Sequence, residues 1–404
     1  MRGLFSTLAV VMALAVTGCA TPPRGPAVPE AALQRAQPLG LPNARFYADA
    51  DPAPIVAEAE LALQRSRAQR QASGIVATDP SAAFLALSGG GDNGAFGAGF
   101  MIGWTAAGTR PEFSMVTGIS TGALIAPFAF LGPAYDDQLR KVYTTLGPER
   151  VFLRRRLTAA LFSDAMADSA PLADTISEYA NQSMLDAIAE QYRRGRLLMI
   201  GTTDLDAQRP VIWNIGAIAA SRHPKALDLF RKILQASSAI PGAFPPAMID
   251  IELDGRTYQE MHVDGATMAQ LFLYPGSFDP SALKGRSRQT AYVIRNGRLD
   301  PEHAETDRRT IAIASRAMAT LLQSAGYSDV VQAYFLTKRD GVGFRLAYIG
   351  PEFRAERSGP FDLAYMRALF DYGYAEARSA HPWHSAPPGL ATNRSVEETG
   401  RQVR

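Results

Sequence analysis

Residues 113–126 read FSMVTGISTGALIA, and residues 84–94 read FLALSGGGDNG. Both stretches begin with a short apolar run, which predicts a buried strand. A glycine-rich turn follows each run directly, and an apolar segment with the composition of a helix comes after the turn. The two stretches therefore predict two strand–turn–helix units, one with a glycine run in its turn and one with a serine.

Ser120 lies at the centre of the second turn, between Gly118 and Gly122. A serine at a sharp strand-to-helix turn needs small neighbours, because the strained backbone leaves no room for a Cβ atom on either side. Such a turn lifts the hydroxyl clear of the sheet and places it at the N-terminus of the next helix. The pattern predicts that Ser120 is the nucleophile of a serine hydrolase.

The first turn carries four glycines, Gly89, Gly90, Gly91 and Gly94. Consecutive backbone N–H groups in a run of this kind can point together at one anionic oxygen. We expect these four amides to form an oxyanion hole beside Ser120. The alternative is that both glycine-rich turns are ordinary tight connections between a strand and a helix.

A nucleotide site is a second alternative, because Gly89, Gly91 and Gly94 also spell G-x-G-x-x-G after a strand. That fingerprint needs an acidic residue at the end of the second strand. Glu112 lies at about the right distance but precedes that strand, and no Lys-Ser or Lys-Thr follows Gly94 as in a phosphate-binding P-loop. We expect no nucleotide.

Asp264, followed by Gly265, is the candidate general base. An aspartate held partly desolvated beside Ser120 can accept its proton if burial raises the carboxyl pKa. The alternative is a plain turn, since Asp-Gly is a common turn pair.

Histidine is the more usual base for a serine, and the chain has five. His381 and His384 lie in a proline-rich C-terminal stretch that reads as a loop. His262 is two residues before Asp264, so in a strand both side chains would point to the same face. It remains the one histidine that could take part.

These motifs resemble those of the patatin-like phospholipases, a family of lipid acyl hydrolases. The family's G-G-G-x-x-G loop matches residues 89–94, its G-x-S-x-G elbow matches 118–122, and its D-G-[GA] motif matches 264–266. Residues 236–246 are similar to the segment of alanine, serine and proline that precedes the family's aspartate. The resemblance covers residues 82–270 well and the C-terminal part loosely.

The resemblance implies a three-layer α/β/α sandwich with a mostly parallel central sheet. It also implies a Ser–Asp dyad in which Ser120 attacks an ester carbonyl, Asp264 activates the serine, and the glycine-loop amides stabilise the oxyanion. Water resolves the acyl-enzyme, so no cofactor is expected. The expected substrate is a membrane lipid or a similar ester.

The N-terminus resembles a bacterial lipoprotein signal. Arg2 precedes a short apolar core at residues 4–16, and Cys19, the single cysteine of the chain, comes three residues after that core. Acyl chains on Cys19 would anchor the protein. Ala20 in the next position favours the outer membrane, with the protein body in the periplasm. An ordinary signal peptide or a signal anchor is the alternative.

The remaining chain is expected to divide into a few segments. These are the signal peptide (1–18), the lipidated cysteine and a proline-rich tether (19–53), a helical segment (54–81), the hydrolase domain (82–385) and a polar tail (386–404). Apolar spacing predicts helices at 55–72 and 309–323 and strands at 291–294 and 344–349. Residues 136–194 are polar and helical, and a lid or pocket insertion could lie there.

Several site types are not expected. A net charge of +2 gives no reason to expect nucleic acid. No histidine–carboxylate or cysteine pattern has metal-ligand spacing, so no metal is expected. Asp204 and Asp206 follow a predicted strand and are interpreted as turn residues, and Asp254 with Gly255 is interpreted as the turn of a hairpin. Arginines 154–156 could meet anionic head groups or form a solvated helix face.

Two other functions remain open. A non-catalytic envelope lipoprotein could keep the fold as a lipid-binding or scaffolding module, although it would have no need of an intact Ser120, Asp264 and glycine loop. An α/β-hydrolase with a Ser–Asp–His order would use a late histidine. The short distance from the glycine loop to the serine turn argues against that order.

Overall fold

The computed structural model describes residues 22–74, 82–154, 165–276 and 288–390. The predicted signal peptide and Cys19 lie outside these ranges, as do residues 155 and 156 of the arginine run and the end of the predicted tail (391–404).

Nine of the described strands form one sheet, and β4 and β5 pair separately. The strands are β1 (Arg45–Tyr47), β2 (Ala82–Leu87), β3 (Met115–Ile119), β4 (Leu153–Arg154), β5 (Ala167–Asp168), β6 (Leu197–Asp204), β7 (Arg209–Asn214), β8 (Ala247–Leu253), β9 (Arg256–Asp264), β10 (Gln289–Arg295) and β11 (Gly343–Tyr348).

The centre of the large sheet is parallel, in the order β6-β3-β2-β10-β11. The antiparallel strands β7 and β1 extend it beyond β6, and the β8–β9 hairpin pairs with the end of β6. Asp254 and Gly255 form the turn of that hairpin, both with positive φ (51° and 72°), which confirms the predicted turn.

The described helices of at least six residues number ten. They are α1 (Ala53–Ala72), α2 (Gly94–Ala106), α3 (Thr121–Leu131), α4 (Asp136–Thr145), α5 (Ala170–Tyr179), α6 (Gln182–Arg193), α7 (Ile215–Ala220), α8 (Ala226–Ser237), α9 (Thr310–Arg339) and α10 (Leu363–Ala377).

Helices cover both faces of the sheet. Alternate residues of each strand point to opposite faces, so neighbouring residues of one strand pack against different helices. In β2, Leu85 and Leu87 pack into a large core with α2, α3, α8 and α10. Ala86, between them, packs into a second core with α9. The protein is therefore a three-layer α/β/α sandwich, as predicted.

The predicted helices and strands are confirmed with shifted ends, except that residues 136–194, predicted to be helical, also contain the short strands β4 and β5. Residues 291–294 and 344–349 lie in or along β10 and β11, and residues 55–72 lie in α1. The helix predicted at 309–323 continues through Gly326, a common stop signal, to Arg339, because its second half packs on the sheet through Val330 and Ala333.

No helix in the described ranges has both the length and the apolar character needed to cross a membrane.

Candidate active site

Strand β6 brings Ser120 and Asp264 together. Along one edge of β6, β3 runs parallel and ends with Ile119 opposite Gly201. On the same edge, β9 runs antiparallel and ends with Asp264 opposite Thr202. The two strands thus approach each other end to end, and the residue after Ile119 meets the last residue of β9. This register places the two predicted catalytic residues side by side.

The serine turn has the strained geometry expected of a nucleophile elbow. Ser120 has φ 55° and ψ −126°, a backbone conformation that residues other than glycine rarely adopt. A Cβ atom on Gly118 would lie 2.5 Å from the carbonyl oxygen of Gly122, and one on Gly122 would lie 2.2 Å from that of Leu87. Both glycines are therefore required by close backbone contact.

Ser237 holds the elbow in place. Its hydroxyl accepts the Ser120 N–H at 3.0 Å and donates to the Gly201 carbonyl at 2.7 Å, which links the turn to β6. Ser237 ends α8, in the alanine- and serine-rich segment identified from the sequence. The sequence indicated that this segment mattered but not which serine is involved or what it contacts.

Asp264 has the environment of a general base. Its carboxyl Oδ1 accepts the Ala266 N–H at 2.8 Å, and Oδ2 is buried with no hydrogen-bond partner in the described part of the chain. Burial raises the pKa of Asp264 to about 7, while the nearby Ser120 hydroxyl and the Ala266 amide favour the charged form and limit the rise. A carboxylate of this pKa can accept and return a proton near neutral pH.

His262 does not contact this pair. It is fully buried, with Nδ1 3.0 Å from the Thr202 hydroxyl and Nε2 3.2 Å from a carboxylate oxygen of Glu260. Its ring packs edge-on against Trp213. Although His262 shares a strand face with Asp264, both its nitrogens are committed to other groups, so it supports the fold of β9.

The structure brings together three potential metal ligands that the sequence spacing did not indicate. Ligand atoms of Asp204, Glu260 and His262 lie within 4.8 Å of one another, all buried. The Arg45 guanidinium already pairs with both carboxylate oxygens of Glu260. A permanent cation in the cluster neutralises the charge that would attract a metal ion, so these residues fit a buried ion-pair network better than a metal centre.

Asp204 also has the predicted turn role. Its Oδ1 accepts the N–H groups of Asp206 and Ala207, at 3.1 and 3.3 Å. Asp206 forms a 2.7 Å ion pair with Arg24, which ties the N-terminal segment to the turn after β6.

The four predicted oxyanion donors are not equivalent. The Gly89 N–H donates to the Gln270 carbonyl at 2.9 Å, and the Gly94 N–H donates to carbonyls within its own turn. Gly90 and Gly91 have no acceptor for their N–H groups among the described residues. The prediction of four available donors is therefore corrected to two, because the other two amides build the loop itself.

The loop glycines are required by packing. A Cβ atom on Gly90 would lie 1.9 Å from the Asn296 carbonyl oxygen, and one on Gly94 would lie 2.0 Å from the Thr121 hydroxyl.

Thr121 supplies a further donor that the sequence analysis did not identify. It is the first residue of α3, where the N–H groups have no partner within the helix. The amide after a nucleophilic serine commonly contributes to an oxyanion hole. Position alone could have identified it, and it lines the same cavity as Ser120 and Gly91.

That cavity is apolar and has a volume of about 910 Å³ including its open mouth. Its walls come from α3, α4, α5, α6, α8, the loop after α8 and the C-terminal part, through residues that include Leu124, Phe128, Ile176, Phe244 and Met366. Ser120 lies at its base and is only 5% exposed. These walls cover it, and no histidine of the described ranges is among them.

Part of the wall is fixed by Asp92, in the glycine loop. Its buried carboxylate accepts the Phe361 N–H at 2.8 Å and pairs with Arg357 at 2.7 Å. Phe361, held at φ 57°, lines the cavity. Tyr365 donates a hydrogen bond to the Asn93 side chain at 2.8 Å. The C-terminal part thus completes the site, although its sequence offered no motif.

A family model described as patatin-like phospholipase matches residues 85–274, the stretch that carries the glycine loop, the serine elbow and Asp264. The chain resembles that family here. This confirms the resemblance seen in the motifs for this part of the chain. No curated protein is detectably similar to the chain.

Two solved structures are similar to the chain at low identity. VipD from Legionella pneumophila has a TM-score of 0.35 and 11% identity, with 75% of this chain and 67% of that chain covered. Human GIVD cytosolic phospholipase A2 has a TM-score of 0.30 and 12% identity, with 77% of this chain and 53% of that chain covered. This chain thus spans about half the length of the human protein.

Proposed function

We propose that the chain is a serine acyl hydrolase that cleaves lipid esters with a Ser120–Asp264 dyad. The observation that carries the proposal is the meeting of β3 and β9 at the base of an apolar cavity. There, a buried carboxylate with a raised pKa lies beside a strained elbow serine. The family match over residues 85–274 supports lipid acyl hydrolysis.

The geometry accounts for both halves of the reaction. The Ser120 oxygen attacks the ester carbonyl carbon while its proton moves to Asp264, and the oxyanion accepts hydrogen bonds from the Gly90, Gly91 and Thr121 amides. The carbon–oxygen bond to the alcohol breaks, and Asp264 returns the proton to that leaving oxygen. Water then attacks the acyl-enzyme carbonyl carbon while Asp264 accepts one of its protons, and Asp264 returns that proton to the Ser120 oxygen as the bond between this oxygen and the acyl carbon breaks and the carboxylic acid is released.

The cavity indicates an acyl chain as the group that is bound. Each methylene removed from water contributes about 0.8 kcal/mol, so an apolar channel favours longer chains until it is filled. Phospholipids, lysophospholipids and simple carboxylic esters all carry such a chain, and the proposal covers this class.

Release of fatty acid from phospholipid–detergent micelles by the purified full-length protein tests the function. We expect release with the wild-type protein and none with Ser120→Ala. Lipid binding without any product from a folded wild-type protein would favour the non-catalytic lipid-binding alternative.

Filling the cavity should shorten the preferred chain. Ile176→Trp places a large ring in the channel, so kcat/KM for a long-chain nitrophenyl ester should fall by about tenfold or more, while a two-carbon ester is little affected. Met318→Trp, at a position that is 51% exposed on α9, is the control and should leave the chain-length profile unchanged. Equal losses on short and long esters would show that the channel does not hold the chain.

We also propose that acyl chains on Cys19 anchor the protein to the outer membrane, on the basis of the signal-like sequence before it. Cys19→Ser should release the protein from the membrane fraction while activity on soluble esters is retained. Hydrolysis of bilayer lipid should slow, because anchoring raises the local concentration of enzyme at its substrate. Retention of Cys19→Ser in the membrane pellet would contradict a lipid anchor.

A further inference from the structure

Strand β10 places a buried cation behind the glycine loop. β10 runs parallel to β2 with Ile294 opposite Leu87, so the next residues, Arg295 and Asn296, lie beside Ser88 and Gly89 at the carboxyl edge of the sheet. Arg295 is 5% exposed and Asn296 fully buried. Neither belongs to a motif recognised in the sequence.

The Arg295 guanidinium is directed at the loop. Its Nη1 donates to the Gly89 carbonyl at 2.9 Å, to the Ser88 hydroxyl at 3.1 Å and to the Gln270 side-chain oxygen at 3.1 Å. The Ser88 hydroxyl also donates to the Gly89 carbonyl, at 2.7 Å. The Gly89 oxygen therefore accepts two hydrogen bonds, one from a charged group.

The guanidinium has little else to neutralise it. No carboxylate in the described ranges lies within ion-pair distance, and Nε is buried with no partner there. Asp329 is the acidic group that interacts electrostatically with the Arg295 guanidinium. Burial lowers the pKa of Arg295 to about 10, so the group stays charged at neutral pH. A buried cation held against backbone oxygens is costly for the fold, which argues for a use beyond packing.

The position of the Gly89 carbonyl suggests that use. This carbonyl and the Gly90 N–H belong to one planar peptide group, on opposite sides of it. Charge-assisted hydrogen bonds to the oxygen polarise the group and make its N–H a stronger donor. Gly90 is one of the two loop glycines whose amides remain available.

We propose that Arg295 is a positioning residue for the oxyanion hole. It fixes the Gly89–Gly90 peptide and polarises it, so that the Gly90 N–H binds the oxyanion more strongly than an ordinary amide would. Asn296 fixes the same loop from its other side, since its side chain donates to the Ser88 carbonyl at 2.7 Å and accepts the Gly97 N–H at 3.0 Å. This inference rests on the proposed serine hydrolase function.

Three variants of the full-length protein separate charge from packing. Arg295→Gln keeps a hydrogen-bond donor but removes the charge. Arg295→Lys keeps the charge but lacks the planar guanidinium group. Arg196→Gln is the matched control. Arg196 is partly buried, with its pKa lowered to about 10 by burial, and donates to the Phe113 and Phe130 carbonyls at 2.7 and 2.6 Å, although it also pairs with Glu112 at 3.4 Å. It does not line the cavity.

The concentration of active sites is measured from the initial burst of nitrophenol released from a nitrophenyl ester. Rates are then compared per active site. Arg295→Gln should lower kcat by about tenfold or more with KM nearly unchanged, because an interaction specific to the transition state is weakened. The rate constant for fluorophosphonate labelling should fall in parallel. Arg295→Lys should retain more activity than Arg295→Gln, and Arg196→Gln should lose thermal stability but keep kcat per active site.

Wild-type kcat in Arg295→Gln, equal rates in Arg295→Gln and Arg295→Lys, or an equal loss in Arg196→Gln would each overturn the inference. If Arg295→Gln does not fold, Ser88→Ala tests the same carbonyl by removing its neutral donor. It should lower kcat a fewfold at constant KM, and an unchanged kcat would overturn the inference. Activity that survives Ser120→Ala would instead overturn the proposed function itself.

Discussion

Ser120→Ala should lower kcat for a short-chain ester by at least about 10⁴-fold, as loss of the nucleophile does in serine hydrolases. The protein should remain folded, because alanine keeps the Cβ atom and the bond from the residue 120 N–H to Ser237 is unaffected. Circular dichroism melting alongside ester hydrolysis measures both effects.

Ser120→Gly is the informative companion. A positive φ with a Cβ atom costs about 1–3 kcal/mol, and glycine removes that cost. The glycine variant should therefore be inactive and melt at a higher temperature than Ser120→Ala. A lower melting temperature for glycine would contradict the assignment of strain to this turn, and an active alanine variant would contradict the nucleophile.

Asp264→Asn should lower kcat by at least about 10³-fold, because an amide cannot accept the serine proton. His262→Gln, His381→Ala and His384→Ala should each retain most of the kcat of the folded protein. A histidine variant that loses as much activity as Asp264→Asn would replace the dyad with a histidine-based triad.

In the proposed dyad, the raised pKa of Asp264 sets the pH dependence of catalysis. Its charged form is the base, so kcat/KM should rise with pH through a midpoint near 7 and then level off. Residual activity of Asp264→Asn should lack this step.

The ionised carboxylate of Asp264, which catalysis would need, lowers the stability of the folded protein. Its pKa in the folded protein lies above the ordinary value of 3.8, so folding favours the protonated form. Its stabilising contribution is complete below pH 4 and is lost as pH rises through 7. Asp264→Asn should therefore raise Tm relative to wild type at pH 8, and less so at pH 5. A lower Tm at pH 8 would contradict burial of an uncompensated charge.

The sequence predicts the local parts of this site because each depends on a few adjacent residues. A strand, two glycines and a serine are enough to specify the elbow at Ser120, and the glycine run indicates the neighbouring loop. From the residues alone, Asp264 was a candidate base with a plain turn as the alternative, and the family resemblance then paired it with Ser120. In the structure this pairing depends on the register of β3 and β9 along β6.

The remaining features depend on contacts between distant segments. The Gly89 N–H is unavailable to an oxyanion because it donates to the Gln270 carbonyl. Phe361 is held in the cavity wall because its N–H donates to the Asp92 carboxylate. Arg295 reaches the loop because β10 lies beside β2. Single arginines and glutamines in strands and loops have no distinctive pattern, so their roles appear only when the fold places them.

Fluorophosphonate labelling of the full-length protein, followed by peptide mapping at a series of pH values, tests the central claim most directly. The account predicts a single adduct on Ser120, with a labelling rate that rises with pH to a plateau and has its midpoint near 7. An adduct on another serine, or no adduct from a protein that hydrolyses esters, would contradict it.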